Sequence, residues 1–151
     1  MFLSVVLTHP NAKMPDRANP SDAGADVFFC SREEKSVALE PGDSALLSTG
    51  LKVEVPHGYM LEVKNRSGMA AKKSLIVGAC VVDSGYSGEI FVNLHNVGRE
   101  PQIIDPGAKI AQLVLIPVVQ WRPTLVKEED LYSDPLTISN RGSGALGSTG
   151  G

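Results

Sequence analysis

The chain has 151 residues, the length of one domain, and a globule of that size buries roughly 70% of its unfolded surface without needing disulfides. Hydrophobic residues make up 42% and charged residues 21%, which argues against a disordered tail protein and against a membrane protein. A formal net charge of −3 argues against general, stable binding to nucleic acid, while a few local cations or a metal suffice for one small polyanion.

The first ten residues hold a short apolar run without a basic leader, and no stretch approaches the 18 or so apolar residues of a membrane span. The expectation is a soluble intracellular chain, cytoplasmic or nuclear, with no secretion signal. Short apolar or alternating runs then recur between turn signals and predict strands over 4–8, 26–30, 44–55, 59–64, 75–82, 89–97 and 109–119. The punctuation is Glu40-Pro41-Gly42-Asp43, Pro56-His57-Gly58, Asp83 through Gly88, Asn96-Val97-Gly98-Arg99 and Asp105-Pro106-Gly107. Turns spaced about ten residues apart predict an all-β sandwich or barrel. One short helix is expected over 69–74, with Ser67 as its N-cap.

In the run from Glu89 to Asn96, Ile90, Val92 and Leu94 share one face of a half-buried strand. Glu89, Phe91, Asn93 and His95 take the other, which can meet solvent, a ligand or another subunit. Cys30 and Cys80 show no metal-ligand spacing and read as reduced packing residues, and His9, His57 and His95 are too scattered for a zinc site. From about Gln120 the texture changes, and residues 139–151 are rich in glycine and serine. Such a segment cannot bury enough surface to hold itself in place. The chain therefore divides into a β domain over 1–138 and a C-terminal arm over 139–151, the arm being either a free end or a segment that orders on a ligand.

Three segments combine polar chemistry with backbone freedom. Asn65-Arg66-Ser67-Gly68-Met69-Ala70 sets a cation and a hydroxyl before a short helix whose free N–H groups favour anions. Gly78 through Ile90 reads as a hairpin, with Asp83 at its root able to deprotonate a water and Tyr86 near its tip able to offer a ring face to a sugar or base. A turn-stabilising aspartate and a packing tyrosine are the plainer alternative. In the tail, Gly142 and Gly147-Ser148-Thr149 suggest a phosphate loop without its lysine, but no strand and helix flank it, so a P-loop NTPase is excluded. What survives is a set of glycine N–H groups, two hydroxyls and Arg141 that can wrap a phosphate.

Taken in order, these segments resemble the trimeric dUTP pyrophosphatases (dUTPases). That family has five ordered motifs, matched here by Ala23-Gly24-Ala25-Asp26, Arg66 through Ala70, Gly78 through Ile90, Gly107 through Leu113, and Arg141 through Gly150. Each alone is weak, but five in order at suitable separations are highly specific. The resemblance implies a β jelly roll, a barrel-like fold that forms a homotrimer, with active sites at subunit interfaces and the C-terminal arm closing over one of them. It implies hydrolysis of dUTP to dUMP and pyrophosphate with Mg²⁺, which limits uracil incorporation into DNA and supplies dUMP for thymidylate synthesis.

By the same resemblance Asp83 activates the attacking water, Tyr86 packs under deoxyribose, and the Gly78 backbone reads the uracil edge. Arg66, Ser67, Gly68 and Gln112 contact phosphates; Arg141, Gly147, Ser148 and Thr149 add to them from the arm. Asp26 acts near the metal, through water. Leu146, after Ala145, stands where the family commonly has a phenylalanine that stacks over uracil. Cys80 replaces a usual glycine and Ser87 a frequent arginine.

Two other readings bear weighing. The dCTP deaminases share the implied fold but place a catalytic glutamate where this chain has Asn93, and a neutral amide cannot shuttle the proton. A regulatory protein-binding role is the alternative from another class, and nothing in the sequence names such a partner.

Overall fold

The structure, a computed structural model, describes residues 1–132. The expected arm residues Arg141, Leu146, Gly147, Ser148 and Thr149 lie outside the described residues. Among the described residues, ten strands and one α-helix follow in order: β1 Val5–Leu7, β2 Ala25–Phe28, β3 Val37–Leu39, β4 Ser44–Val53, β5 Tyr59–Lys64, α1 Ser67–Lys73, β6 Leu75–Val77, β7 Val81–Asp83, β8 Ile90–Asn96, β9 Gln102–Ile104 and β10 Lys109–Pro117. The chain forms two compact units, one covering Met1–Gln120 and one beginning at Trp121, where the composition changes. The described part of the second unit contains a single 3-10 turn, Glu128–Asp130.

Two four-stranded antiparallel sheets, ordered β1-β4-β8-β6 and β2-β10-β5-β7, make up the first unit together with the small pair β3-β9. This is the all-β architecture expected from the turn spacing, and the jelly-roll-like form that the resemblance implies. Alternation decides which side chains go inward: Ile90, Val92 and Leu94 of β8 are buried, as are Leu61 and Val63 of β5 and Leu113 of β10. They join Val27, Leu47, Leu51 and Leu75 in one core. Each such side chain contributes about 1.5–3 kcal/mol on burial, and a one-residue slip would turn a whole strand's set outward, so the register is strongly fixed.

The small sheet is tied on by a polar residue. Asn96 is buried, yet its Nδ2 donates to the carbonyls of Leu39 and Glu100, both at 2.9 Å, and its Oδ1 accepts from Gly98 N at 2.9 Å. With these bonds made, its burial carries no unsatisfied-group penalty. The sequence pattern does not reveal β3 and β9, because three-residue strands are too short to show a period.

Two expectations are corrected. The predicted strand over 75–82 is two strands in different sheets: β6 pairs with β8, whereas β7 pairs with β5. Residues 78–90 are therefore not a hairpin, because the segment leaves one sheet at Gly78, adds Val81–Asp83 to the edge of the other, and crosses back into β8. The apolar run alone could not reveal this, since both halves bury alternate residues in the same core. The second correction concerns α1. Ser67 is its first residue and Arg66 the N-cap, with no capping side-chain hydrogen bond. The helix is held by burial of Met69, by Lys72 and Lys73 in its last turn, and by Ser74 in the left-handed conformation at φ 53°.

Candidate active site

The sheet β2-β10-β5-β7 carries three of the sequence-predicted site residues, Asp26, Gln112 and Asp83, and its pairing places them. Gln112 lies opposite Asp26 on one side and Lys64 on the other, while Asp83 lies opposite Met60. Paired residues share a face, as do Met60 and Lys64 four apart on β5. Asp26, Gln112 and Asp83 are thus on the outer face of one sheet.

At the Gln112 end a charged corner forms. Asp26 Oδ1 accepts from Arg66 Nε at 2.8 Å, and its Oδ2 pairs with Lys109 Nζ at 2.8 Å. Asp26 is held at the edge of β2 by backbone hydrogen bonds with Asp16 in both directions. Arg66 uses Nε for this pair, and its Nη groups make no hydrogen bond among the described residues. Gln112 Nε2 donates to the Asn65 carbonyl at 2.8 Å, and Asn65 Oδ1 accepts from Val77 N at 2.7 Å. One asparagine therefore joins the loop before α1 to β10 and to the end of β6. Gly24 is needed beside Asp26 because a Cβ there would run into the Gln112 side chain. Ser67 and Gly68 are exposed at the start of α1, and a Cβ on Gly68 would meet nothing within 4 Å.

At the other end, Asp83 terminates β7 and is exposed, and its carbonyl accepts from Tyr86 N at 3.2 Å across a turn in which Gly85 has φ +89°. Tyr86 is 47% exposed, and its hydroxyl donates to the Glu89 carbonyl at 2.9 Å. Asp83, Tyr86, Ala79, Cys80 and Phe91 border one recess of about 280 Å³. Gly78 is fixed from below: its N–H donates to the Asn93 carbonyl at 2.8 Å, Ala79 N donates to Asn93 Oδ1 at 3.2 Å, and His95 Nε2 contacts the same Oδ1 at 2.9 Å. Because that oxygen can only accept, His95 is the donor and carries a proton on Nε2. A side chain at Gly78 would collide with Asn93 and His95, so only glycine lets the backbone lie this close to β8.

The two ends stay apart within one chain. Four residues along β5 and two strand spacings across separate Gln112 from Asp83 by about 16 Å between Cα atoms. The structure thus gathers Asp26, Arg66, Ser67, Gly68 and Gln112 at one corner and Asp83 and Tyr86 at another, with Gly78 between them, one residue beyond the Val77 that donates to Asn65 and one before the Ala79 that borders the Asp83–Tyr86 recess. No group of three or more His, Cys, Asp or Glu that could hold a metal occurs among the described residues.

Two residues that the sequence motifs do not single out as site residues support Gly78 and the Tyr86 turn. Asn93 and Glu89 look in sequence like members of a polar strand face, and only the sheet crossing shows what they hold. Glu89 Oε2 pairs with Arg32 at 2.7 Å, and its Oε1 accepts from Gly50 N at 2.8 Å and from Ser48 Oγ. Burial pushes its carboxyl upward, but the hydrogen bonds from Ser48, Gly50 and Arg32 outweigh it and hold the group below the usual carboxylate value.

Comparison with known proteins shows the family. The dUTPase family model matches residues 10–150, and the chain belongs to that family. Deoxyuridine 5'-triphosphate nucleotidohydrolases of Chlamydia pneumoniae and Chlamydia trachomatis serovar L2 are 44% and 41% identical to it, over 91% and 92% of both chains. A dUTPase of Staphylococcus bacteriophage 80alpha superposes with a TM-score of 0.80 at 29% identity, covering 97% of this chain and 98% of the other. A dUTPase from phage phi11 of S. aureus, described as coordinating a structural Mg(II) ion, gives 0.74 at 29% identity, over 87% of this chain and 99% of that one.

Proposed function

We propose that this chain hydrolyses dUTP to dUMP and pyrophosphate at a site built from more than one copy of it. The observation that carries this reading is the distribution of one family's site residues over two separate corners of one sheet face. A second copy that set its Asp83–Tyr86 corner against the Arg66–Gln112 corner of the first would complete the site, and three such contacts close a ring as a homotrimer. Exposed apolar residues on the other sheet support association: Leu46 and Phe91, diagonal neighbours on β4 and β8, are 64% and 39% exposed.

In the completed site Asp83 takes a proton from the attacking water, and its exposed place at the end of β7 leaves it open to one. Arg66, Ser67 and Gln112 hold the phosphates, with Arg66 pre-oriented by Asp26 so that less freedom is lost on binding. The tail residues Arg141, Gly147, Ser148 and Thr149 bring further donors, and Leu146 covers the base. Tyr86 packs against the deoxyribose, where a 2′-hydroxyl would clash, and the exposed backbone from Gly78 reads the uracil edge.

The residues fit Mg²⁺ only as a partner of the phosphates. Both oxygens of Asp26 are engaged by cations, so Asp26 would reach the ion through water, in keeping with the few direct protein ligands Mg²⁺ usually takes at phosphate sites. Bound there, the ion would neutralise triphosphate charge. Deamination of dCTP is disfavoured by Asn93, whose amide oxygen is already engaged by Ala79 and His95. The test is pyrophosphate release from dUTP against dTTP, dCTP and UTP in the presence of Mg²⁺. Release confined to dUTP, without ammonia from dCTP, is expected; equal turnover of all four would refute the reading.

A further inference from the structure

Between Ser48 and Leu51 the β4–β8 register shifts, so that extra residues of β4 stand opposite the start of β8. The bulge contains Gly50 at φ +67°, where an added Cβ would lie 2.6 Å from Ala12 Cβ and 3.0 Å from Cys30 Sγ. Its free donors are taken up from β8 and the residue before it: Thr49 Oγ1 donates to the Ile90 carbonyl at 2.6 Å, while Gly50 N and Ser48 Oγ both reach Glu89 Oε1. Arg32, on the loop after β2, grips the second carboxylate oxygen. The Glu89 side chain is only 10% exposed, whereas its backbone carbonyl accepts from the Tyr86 hydroxyl.

We propose that Glu89 is a positioning residue for the nucleotide site: its carboxylate anchors the entry to β8 in the β4 bulge, and its carbonyl sets where the Tyr86 ring stands. The inference rests on the reading of Tyr86 as the ring beneath deoxyribose. Tyr86 sits on an exposed turn, so its ring takes its place from this hydroxyl bond and from close passage over Gly88. A ring tethered to a carbonyl is held only as firmly as that carbonyl is fixed. Glu89 fixes it by joining β4 and the Arg32 loop to the point where the turn enters β8. Rejection of a ribonucleotide by steric exclusion needs the ring placed to a fraction of an ångström, so the expected effect of loosening Glu89 falls on discrimination more than on fold.

The experiment measures kcat and KM for dUTP and for UTP, with the melting temperature, in the full chain and in Glu89→Ala, Glu89→Gln and Tyr86→Ala. Glu89→Ala should lower the dUTP-over-UTP ratio of kcat/KM about tenfold. Glu89→Gln, whose amide oxygen still accepts from Ser48 and Gly50 while its NH2 faces the Arg32 guanidinium in place of a carboxylate oxygen, should recover part of that ratio. A folded Glu89→Ala protein with the wild-type ratio and only a lower melting temperature overturns the proposal. If Glu89→Ala does not fold, Ser48→Ala removes a single donor, and a ratio lowered about threefold supports the inference while an unchanged one overturns it. Tyr86→Ala separates the two levels. Wild-type discrimination in that variant refutes the placement of Tyr86 itself, whereas loss of discrimination there, with none lost in Glu89→Ala, refutes the role of Glu89 alone.

Discussion

Asp83 and Asp26 are both aspartates on the same sheet face, and their surroundings suit them to different work. Asp26 is clasped by Arg66 and Lys109, and in the proposed site it is a fixed anion that orients a phosphate-binding cation. Asp83 is exposed at a strand end, and in the proposed site it is the one that takes a proton from water. Asp83→Asn should therefore keep the fold and dUTP binding while losing about 10²-fold to 10⁴-fold in turnover, as measured by pyrophosphate release and by equilibrium binding of a non-hydrolysable dUTP analogue.

Glu89 and Cys30 set the pH limits of the same region. Glu89 titrates below its ordinary value of 4.5 in the folded protein, so the stability it contributes is present above that value and is lost as pH falls through the folded value. Cys30 is raised above its ordinary 9.0, first by burial and then by the Glu89 charge, against a smaller opposing effect of Arg32. Its contribution is present below 9.0 and is lost as pH rises through the folded value. Melting temperatures followed from about pH 3 to about pH 10 should show a plateau with both shoulders. Glu89→Gln should flatten the acid shoulder and Cys30→Ala the alkaline one.

Among the elements, the three-residue β7 matters most to the proposed site, because pairing with β5 carries Asp83 out of the sheet that holds β6 and β8. Its neighbours β6 and β8 remain joined through Gly78, Asn93 and His95, so the 78–90 segment is pinned at both ends and through β7, and its longest exposed stretch is the turn from Asp83 to Ser87. The glycine-rich tail is the opposite kind of element. Apart from Ala145 and Leu146, the stretch 140–151 has no apolar side chain to bury. Deleting residues 141–151 should leave the melting temperature and subunit number unchanged while depressing turnover severely. Calorimetry, sedimentation and a turnover assay together check this, and a truncated protein that falls to monomers would make the segment structural instead.

For the whole molecule, the separation of the two corners makes activity a property of the proposed assembly. Sedimentation equilibrium should give three copies. Mixing inactive Asp83→Asn chains with inactive Arg66→Ala chains, under conditions that exchange subunits, should restore part of the turnover, because some mixed sites then draw an intact Asp83 from one chain and an intact Arg66 from another. Recovery cannot occur if each chain completes its own site.

The sequence by itself determined the all-β class, most strand positions, the buried face of β8 and, through five ordered motifs, the family. These are legible because alternation, turn chemistry and motif order are local or strictly sequential properties. Tertiary structure alone decided that 75–82 is two strands, that Ser67 begins the helix instead of capping it, and that Asn93 holds the Gly78 backbone and Glu89 the Tyr86 turn from beneath. A period-2 apolar pattern states that a strand has a buried face without stating which sheet it joins. A polar side chain between apolar ones reads as solvated until another strand's donors are brought against it.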